Sequence, residues 1–196
     1  MTATMSLLST MNRLTTKKKW SSAIDDMLRQ VVDEGFAFYV CGERRDPVVL
    51  VAAYYWKSYV DLLTITEPDR VTAARAVREP GFDVFGPRKV VWAYGNEAEP
   101  TLRALLNLTH PDHPDHPTCP HEPPRLMIVP AHLQRPMTFK APDSWKVQNR
   151  VQRLESALAS DLASMEAAGL LTREEGPLWS GQGGFVLPSG APDGVV

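Results

Sequence analysis

The chain has 196 residues, of which 43% are hydrophobic and 22% are charged, and its formal net charge is −2. This composition excludes a wholly disordered chain, a strongly basic nucleic-acid binder and, because there are only two cysteines, a disulfide-rich secreted scaffold. No apolar run reaches the roughly 18 residues of a transmembrane helix, so we expect no membrane partner. The sequence therefore predicts one globular domain with appendages and a cytoplasmic location.

Residues 1–20 form a basic segment that contains no acidic residue. Its short apolar patch precedes the basic cluster, whereas a secretory signal has these two parts in the opposite order. We therefore predict a flexible basic tail. Two interpretations of Lys17, Lys18 and Lys19 stay open, namely contact with the phosphates of DNA or anionic lipid, and a solvated tail without a ligand.

The segment 21–109 predicts a succession of helices and strands. Helical spacing of apolar residues indicates helices, and short runs of β-branched and aromatic residues indicate strands. The stretch from Thr66 to Glu79 is interpreted as a helix because Pro68 lies early in it and Pro80 ends it. The predicted elements are a helix over 22–34, strands over 36–40, 48–55 and 59–65, a helix over 66–79, a strand over 89–94 and a helix over 100–108.

This order of elements predicts an α+β fold. Three consecutive strands with short links favour an antiparallel meander. We expect a mainly antiparallel sheet with helices packed on one face, followed by a long C-terminal helix. Two further strands are candidates at 125–129 and 137–140, inside a segment rich in histidine and proline that covers 110–142.

The histidine- and proline-rich segment is the one compositional anomaly of the chain. All five histidines lie between positions 110 and 132, and nine of the seventeen prolines lie in 111–142. Imidazole and thiolate are ligands that suit zinc, so the cluster suggests a zinc site. The candidate ligands are His110, His113, His116, Cys119 and His121.

The spacing of these residues opposes a simple zinc site. His110, His113 and His116 each precede a proline, which disfavours helical backbone. In a polyproline II helix the three imidazoles would share one side but stand about 9 Å apart, too far for one ion. A site would need turns at the Pro-Asp pairs, or a further ligand such as His132 or Cys41. The alternative is a rigid, solvated loop that binds no metal or that responds to pH.

A long amphipathic helix is predicted within 143–171. Its apolar residues step by three or four positions, which gives a continuous stripe. The stripe either packs onto the α+β domain or forms a seam with a protein partner or a second copy, through residues 144–168. Its members are Val147, Val151, Leu154, Leu158, Leu162 and Met165.

The end of this helix carries a family resemblance. The stretch 162–175 (LASMEAAGLLTREE) leads through a glycine loop to the strand-like residues 185–187. This pattern resembles the end of a winged-helix DNA-binding domain, and the resemblance implies DNA contact through the 144–187 region. For 172–196 we predict a hairpin-like segment and then a disordered tail.

The function predicted from these features is that of a non-enzymatic regulatory or accessory protein. It would act through protein–protein contacts, with DNA as a further candidate partner, and it would need no cofactor. This interpretation is favoured because the chain lacks a phosphate loop and the Gly-x-Ser-x-Gly and His-Glu-x-x-His motifs. The alternative is a metal-dependent enzyme with a zinc site in 110–121. A third hypothesis is a regulator in which structural zinc holds the proline loop.

Overall fold

The computed structural model describes residues 21–43, 46–67, 69–168 and 170. Its contacts divide the chain into two units, Met1–Ser160 and Asp161–Val196. The described sheet lies in the first unit. In chain order the elements are α1 (Ser22–Asp33), β1 (Ala37–Glu43), β2 (Asp46–Tyr55), β3 (Tyr59–Glu67), β4 (Arg70–Val77), β5 (Val90–Asn96), α2 (Ala98–Leu106), β6 (Met137–Lys140) and α3 (Val147–Ala167), with short 3-10 helices at Arg125–Met127 and Ala131–Leu133.

The strands form one open, antiparallel sheet in the order β5-β4-β3-β2-β1-β6. The first five strands follow one another as a meander, and β6 returns later in the chain to pair with β1. The predicted α+β class with an antiparallel sheet and a long C-terminal helix is confirmed. The candidate strand at 137–140 is confirmed as β6.

The two sides of the sheet are covered differently. Alternate residues of a strand point to opposite sides, so each strand contributes to two cores. On one side α1, α2 and α3 contribute Leu28, Leu102 and Leu154 to a single apolar cluster with the sheet. On the other side the cover is irregular chain, which contributes Phe85, Val129 and neighbouring residues.

The predicted helix over 66–79 is wrong, because β3 continues to Glu67 and β4 occupies Arg70–Val77. In β4, Val71 and Ala73 belong to the helix-side core, whereas Ala74 and Ala76 belong to the other core. A strand buried on both sides shows no polar–apolar alternation, so the helix was predicted from Pro68 and Pro80, which are also compatible with strand boundaries. The candidate strand at 125–129 is also wrong, since a 3-10 helix occupies Arg125–Met127.

The start of α3 is held against the end of α1. Gly35 follows α1 with a positive φ of 82°, and a Cβ at this position would collide with the carbonyl of Lys146. The Lys146 ammonium donates to Asp33 at 2.6 Å, and Tyr54 donates its hydroxyl proton to the carbonyl of Val147 at 2.6 Å. This close approach fixes where α3 enters the helix layer.

Candidate functional site

A row of polar and aromatic side chains crosses the helix side of the sheet. Tyr54 of β2 lies opposite Asp61 of β3, Asp61 lies opposite Arg75 of β4, and Arg75 lies opposite Trp92 of β5. Asp61 and Arg75 are both 0% exposed. Charged residues at fully buried positions need partners, because desolvation of a charge is costly.

Asp61, in the middle of this row, accepts four hydrogen bonds. Arg75 donates from Nε and Nη2, at 2.6 Å and 3.0 Å. The indole N–H of Trp56 donates at 2.9 Å, and Nη2 of Arg150 in α3 donates at 2.9 Å. Burial alone would raise the pKa of Asp61, but the Arg150 and Arg75 guanidinium groups outweigh it and hold the pKa below its usual range. Asp61 is therefore an ionised carboxylate that is saturated with donors.

Arg150 connects the sheet with two helices. Its Nη1 donates to the Glu34 carboxylate just after α1, and its Nη2 also donates to the Leu105 carbonyl in α2 at 3.2 Å. The guanidinium lies 5.2 Å from the ring centre of Phe36. Two arginines thus neutralise two carboxylates in what we name the buried ion network, which consists of Glu34, Asp61, Arg75 and Arg150.

The buried ion network is suited to holding elements together. None of its side chains is more than 6% exposed, so a solute cannot reach them in this conformation. Tyr54 beside it has a pKa raised to about 12, chiefly by burial, and therefore stays protonated at neutral pH. The arrangement links α2, α3, the end of α1 and the strands β3 and β4 through direct bonds.

The segment around the histidines consists of consecutive turns and is not a polyproline helix. The amide of His113 donates to the carbonyl of His110 at 3.0 Å, and the amide of His116 donates to that of His113 at 2.9 Å. Proline at the second position and aspartate at the third suit such turns. The turns at the Pro-Asp pairs, which a metal site would require, are therefore present.

The imidazoles in these turns nevertheless engage separate partners. Nδ1 of His110 accepts from the Asp112 amide at 3.1 Å, and Nδ1 of His113 accepts from the Asp115 amide at 3.0 Å. The ring of His110 packs edge-on against Trp56, with ring centres 5.1 Å apart. Among the described residues no group of three His, Cys, Asp or Glu side chains is placed to hold a metal ion.

His116 is inserted into the protein beside the buried ion network. Its Nδ1 lies 3.2 Å from Nη1 of Arg75 and accepts from it, because arginine can only donate. Its ring packs edge-on against Tyr59, 4.8 Å between centres. Burial, and next the Arg75 charge, lower the pKa of His116. His116 is thus held neutral.

The other candidate ligands lie apart from these turns. Cys119 is exposed, and His121 is exposed and forms an isolated backbone bridge with Val90 of β5. Cys41 is buried in β1, and burial raises the pKa of its thiol, which disfavours the reactive thiolate. His132 is exposed in a 3-10 helix.

The apolar stripe of α3 is partly taken up by the sheet. Leu154 is buried and Val151 packs against the same helix-side core, so these two side chains are occupied within the chain. Val147 is 40% exposed, and Leu158 is partly buried. Leu162 and Met165 belong to the second unit and are partly buried.

An exposed apolar surface lies at the β6 edge of the sheet. Met137 and Phe139 are 45% and 53% exposed. Phe139 packs on Tyr39 of β1 with ring centres 5.0 Å apart, and the Tyr39 and Tyr55 hydroxyls are 2.8 Å apart. We name these four residues, Tyr39, Tyr55, Met137 and Phe139, the β6 surface. It lies on the side of the sheet opposite the helices.

Comparisons with known proteins identify no relative: no family model, no curated protein and no solved structure matches the chain. Within the part of the chain that the structure describes, no helix is long and apolar enough to cross a membrane. Lys17, Lys18 and Lys19 and the strand-like residues 185–187 lie outside the described residues. Between Val147 and Ala167, α3 is a single unbroken helix.

Sequence reasoning missed the buried ion network. Asp61 and Arg75 each interrupt a stretch of mostly apolar residues, and Arg150 lies next to the stripe of α3. A charged residue within an apolar run was the available signal, since such a position is buried on at least one side. Which charges meet depends on strand register and helix placement, and these are not visible in the sequence.

Proposed function

We propose that this chain is a non-enzymatic binding protein, of a regulatory or accessory kind, that acts through protein–protein contacts at the β6 surface. The observation that carries the proposal is the exposure of Met137 and Phe139 side by side on an edge strand. Contiguous exposed apolar groups, aromatic rings above all, are typical of protein-binding surfaces.

The polar groups of the described residues support the same conclusion. Arg75 and Arg150 both donate to Asp61 and all three are closed to solutes, so they serve the fold. The three turn histidines use Nδ1 within the chain as well. The side chains of Met137 and Phe139, by contrast, are 45% and 53% exposed.

A photo-cross-linking amino acid introduced at Phe139 tests the proposal in cells of the source organism. We expect a discrete cross-linked protein that disappears when excess unlabelled chain competes. The matched control is the same amino acid at Tyr94, an aromatic residue 37% exposed on β5 at the opposite edge of the sheet. No product at Phe139, or the same products at both positions, would refute the proposal.

A further inference from the structure

The edge strand β6 presents backbone groups as well as side chains. The carbonyl of Pro136 accepts a hydrogen bond from the Gly42 amide at 2.7 Å, which continues the β1–β6 register. Because bonding directions alternate along an antiparallel strand, Thr138 directs its amide and carbonyl toward β1, as Pro136 directs its carbonyl. Met137 and Phe139 therefore direct theirs outward. Two donors and two acceptors thus line this edge of the sheet.

An open hollow of about 410 Å³ adjoins the start of β6. Its lining combines apolar and polar groups, namely Phe85, Gln134, Arg135, Pro136 and Met137. The Gln134 amide is used, because it donates to the Val129 carbonyl at 2.9 Å. Arg135 is exposed, and no ion pair joins its guanidinium to another described residue. The hollow therefore offers an apolar wall and one cation.

Charge discriminates between the occupants that could cover this edge. A second copy that paired antiparallel through β6, with Met137 opposite Phe139, would place Arg135 of one chain opposite Ala141 of the other, which supplies no carboxylate at that position. A segment that carries a carboxylate would instead complement Arg135. Charge complementarity thus favours an acidic partner over self-association.

We propose that β6 accepts an extended segment of a partner protein as a seventh strand of the sheet. The segment pairs with the outward backbone groups of Met137 and Phe139, places alternate apolar side chains on the β6 surface and directs an Asp or Glu to Arg135. Strand addition obtains affinity from main-chain bonds and specificity from alternate side chains. The inference rests on the proposed function and adds the chemistry of the partner.

A panel of synthetic heptapeptides tests this inference on the full chain. Alternate positions carry Val, Leu or Phe in all combinations, threonine separates them, and both ends carry Glu in one series and Lys in the other. By nuclear magnetic resonance we expect members of the Glu series to shift the Met137 and Phe139 amides and slow their hydrogen exchange. Thr138, whose amide points to β1, is the internal control and keeps its exchange rate.

Reversing the charge at position 135 tests whether the partner segment must be acidic. We expect the Lys series to bind about tenfold more weakly than the Glu series, and Arg135→Glu to reverse this order. Equal binding of both series, or no protection of Met137 and Phe139 by any peptide, would overturn the inference. Shifts at these amides that grow with protein concentration without peptide would identify a second copy instead. A cross-link at Phe139 that persists when strand addition fails leaves the proposed function standing.

Discussion

The two sides of the sheet are specified in different ways. On the helix side, the buried ion network ties α1, α2 and α3 to the strands through directional bonds. On the opposite side, apolar residues of irregular segments, such as Phe85 and Val129, provide the cover. Apolar burial is non-directional, whereas charge-assisted hydrogen bonds select one geometry. We infer that the ion network fixes the position of the helices, whereas the irregular cover is held chiefly by apolar burial, together with backbone hydrogen bonds such as those between Val90 and His121.

The largest effect is expected when the ion network loses Arg150. Arg150→Met leaves Asp61 and Glu34 buried without this partner, and breaking a buried pair costs about 3–5 kcal/mol. Urea unfolding measures the loss as a lower free energy of unfolding. The control is Arg103→Met, which removes an exposed pair with Glu99 in α2 and should cost about 0–1 kcal/mol. Equal losses in the two variants would contradict a special role of the network.

Substitutions of two adjacent leucines in β3 test whether the two sides of the sheet are packed equally tightly. Leu63 faces the helices and Leu62 faces the irregular cover, and both are 0% exposed. We expect Leu63→Ala and Leu62→Ala each to lower the free energy of unfolding by about 2–5 kcal/mol, because both leave a cavity. Urea denaturation of the two variants checks this. A much smaller loss for Leu62→Ala would show that the irregular cover collapses into the space and is loosely packed.

Burial on one or on both sides of the sheet explains which elements of the fold could be predicted from the sequence. The predictions succeeded for α1, for the first three strands and for β6, where spacing or composition was distinctive. They failed for β4, because a strand with helices on one side and irregular chain on the other shows no alternation. Propensity favoured a helix for its alanines, and pairing with β3 and β5 overrode that preference.

A smaller effect on the free energy of unfolding is expected from the titration of His116. This residue lies in the histidine turns and accepts a hydrogen bond from Arg75 of the buried ion network. Its pKa is lowered in the folded protein, so the unfolded chain binds more protons as the pH falls through the ordinary value of 6.5. We therefore expect the free energy of unfolding to fall from about pH 7 to 5. Asp61 does not contribute there, because its pKa lies below the ordinary 3.8 and it stays ionised.

The variant His116→Gln isolates this contribution. Glutamine can still accept from Arg75 through its side-chain oxygen but does not titrate. Urea unfolding at several pH values should therefore show a flatter profile for His116→Gln than for the parent chain. His132→Gln is the control, because His132 is exposed and its replacement should leave the profile unchanged. Identical profiles for His116→Gln and the parent would contradict the assignment.

The candidate site was only partly accessible to sequence reasoning. The compositional anomaly at 110–121 was visible, and so was the need for turns at the Pro-Asp pairs. The partners of the histidines were not visible, because Trp56, Tyr59 and Arg75 lie about 40–60 positions away in the chain and meet them only through the sheet. The β6 surface was missed because the exposure of Met137 and Phe139 depends on β6 being the edge strand.

The smallest expected effect concerns zinc. Nδ1 of His110, His113 and His116 already accepts from the Asp112 amide, the Asp115 amide and Arg75, so one ion would have to compete with three separate environments. For protein purified without a histidine tag we expect less than about a tenth of an equivalent of zinc, and a chelator should not change the unfolding midpoint. Stoichiometric zinc would contradict this expectation. The double variant His113→Ala, His116→Ala would then separate the two zinc hypotheses, because a structural site loses stability whereas a catalytic site keeps its fold and loses activity.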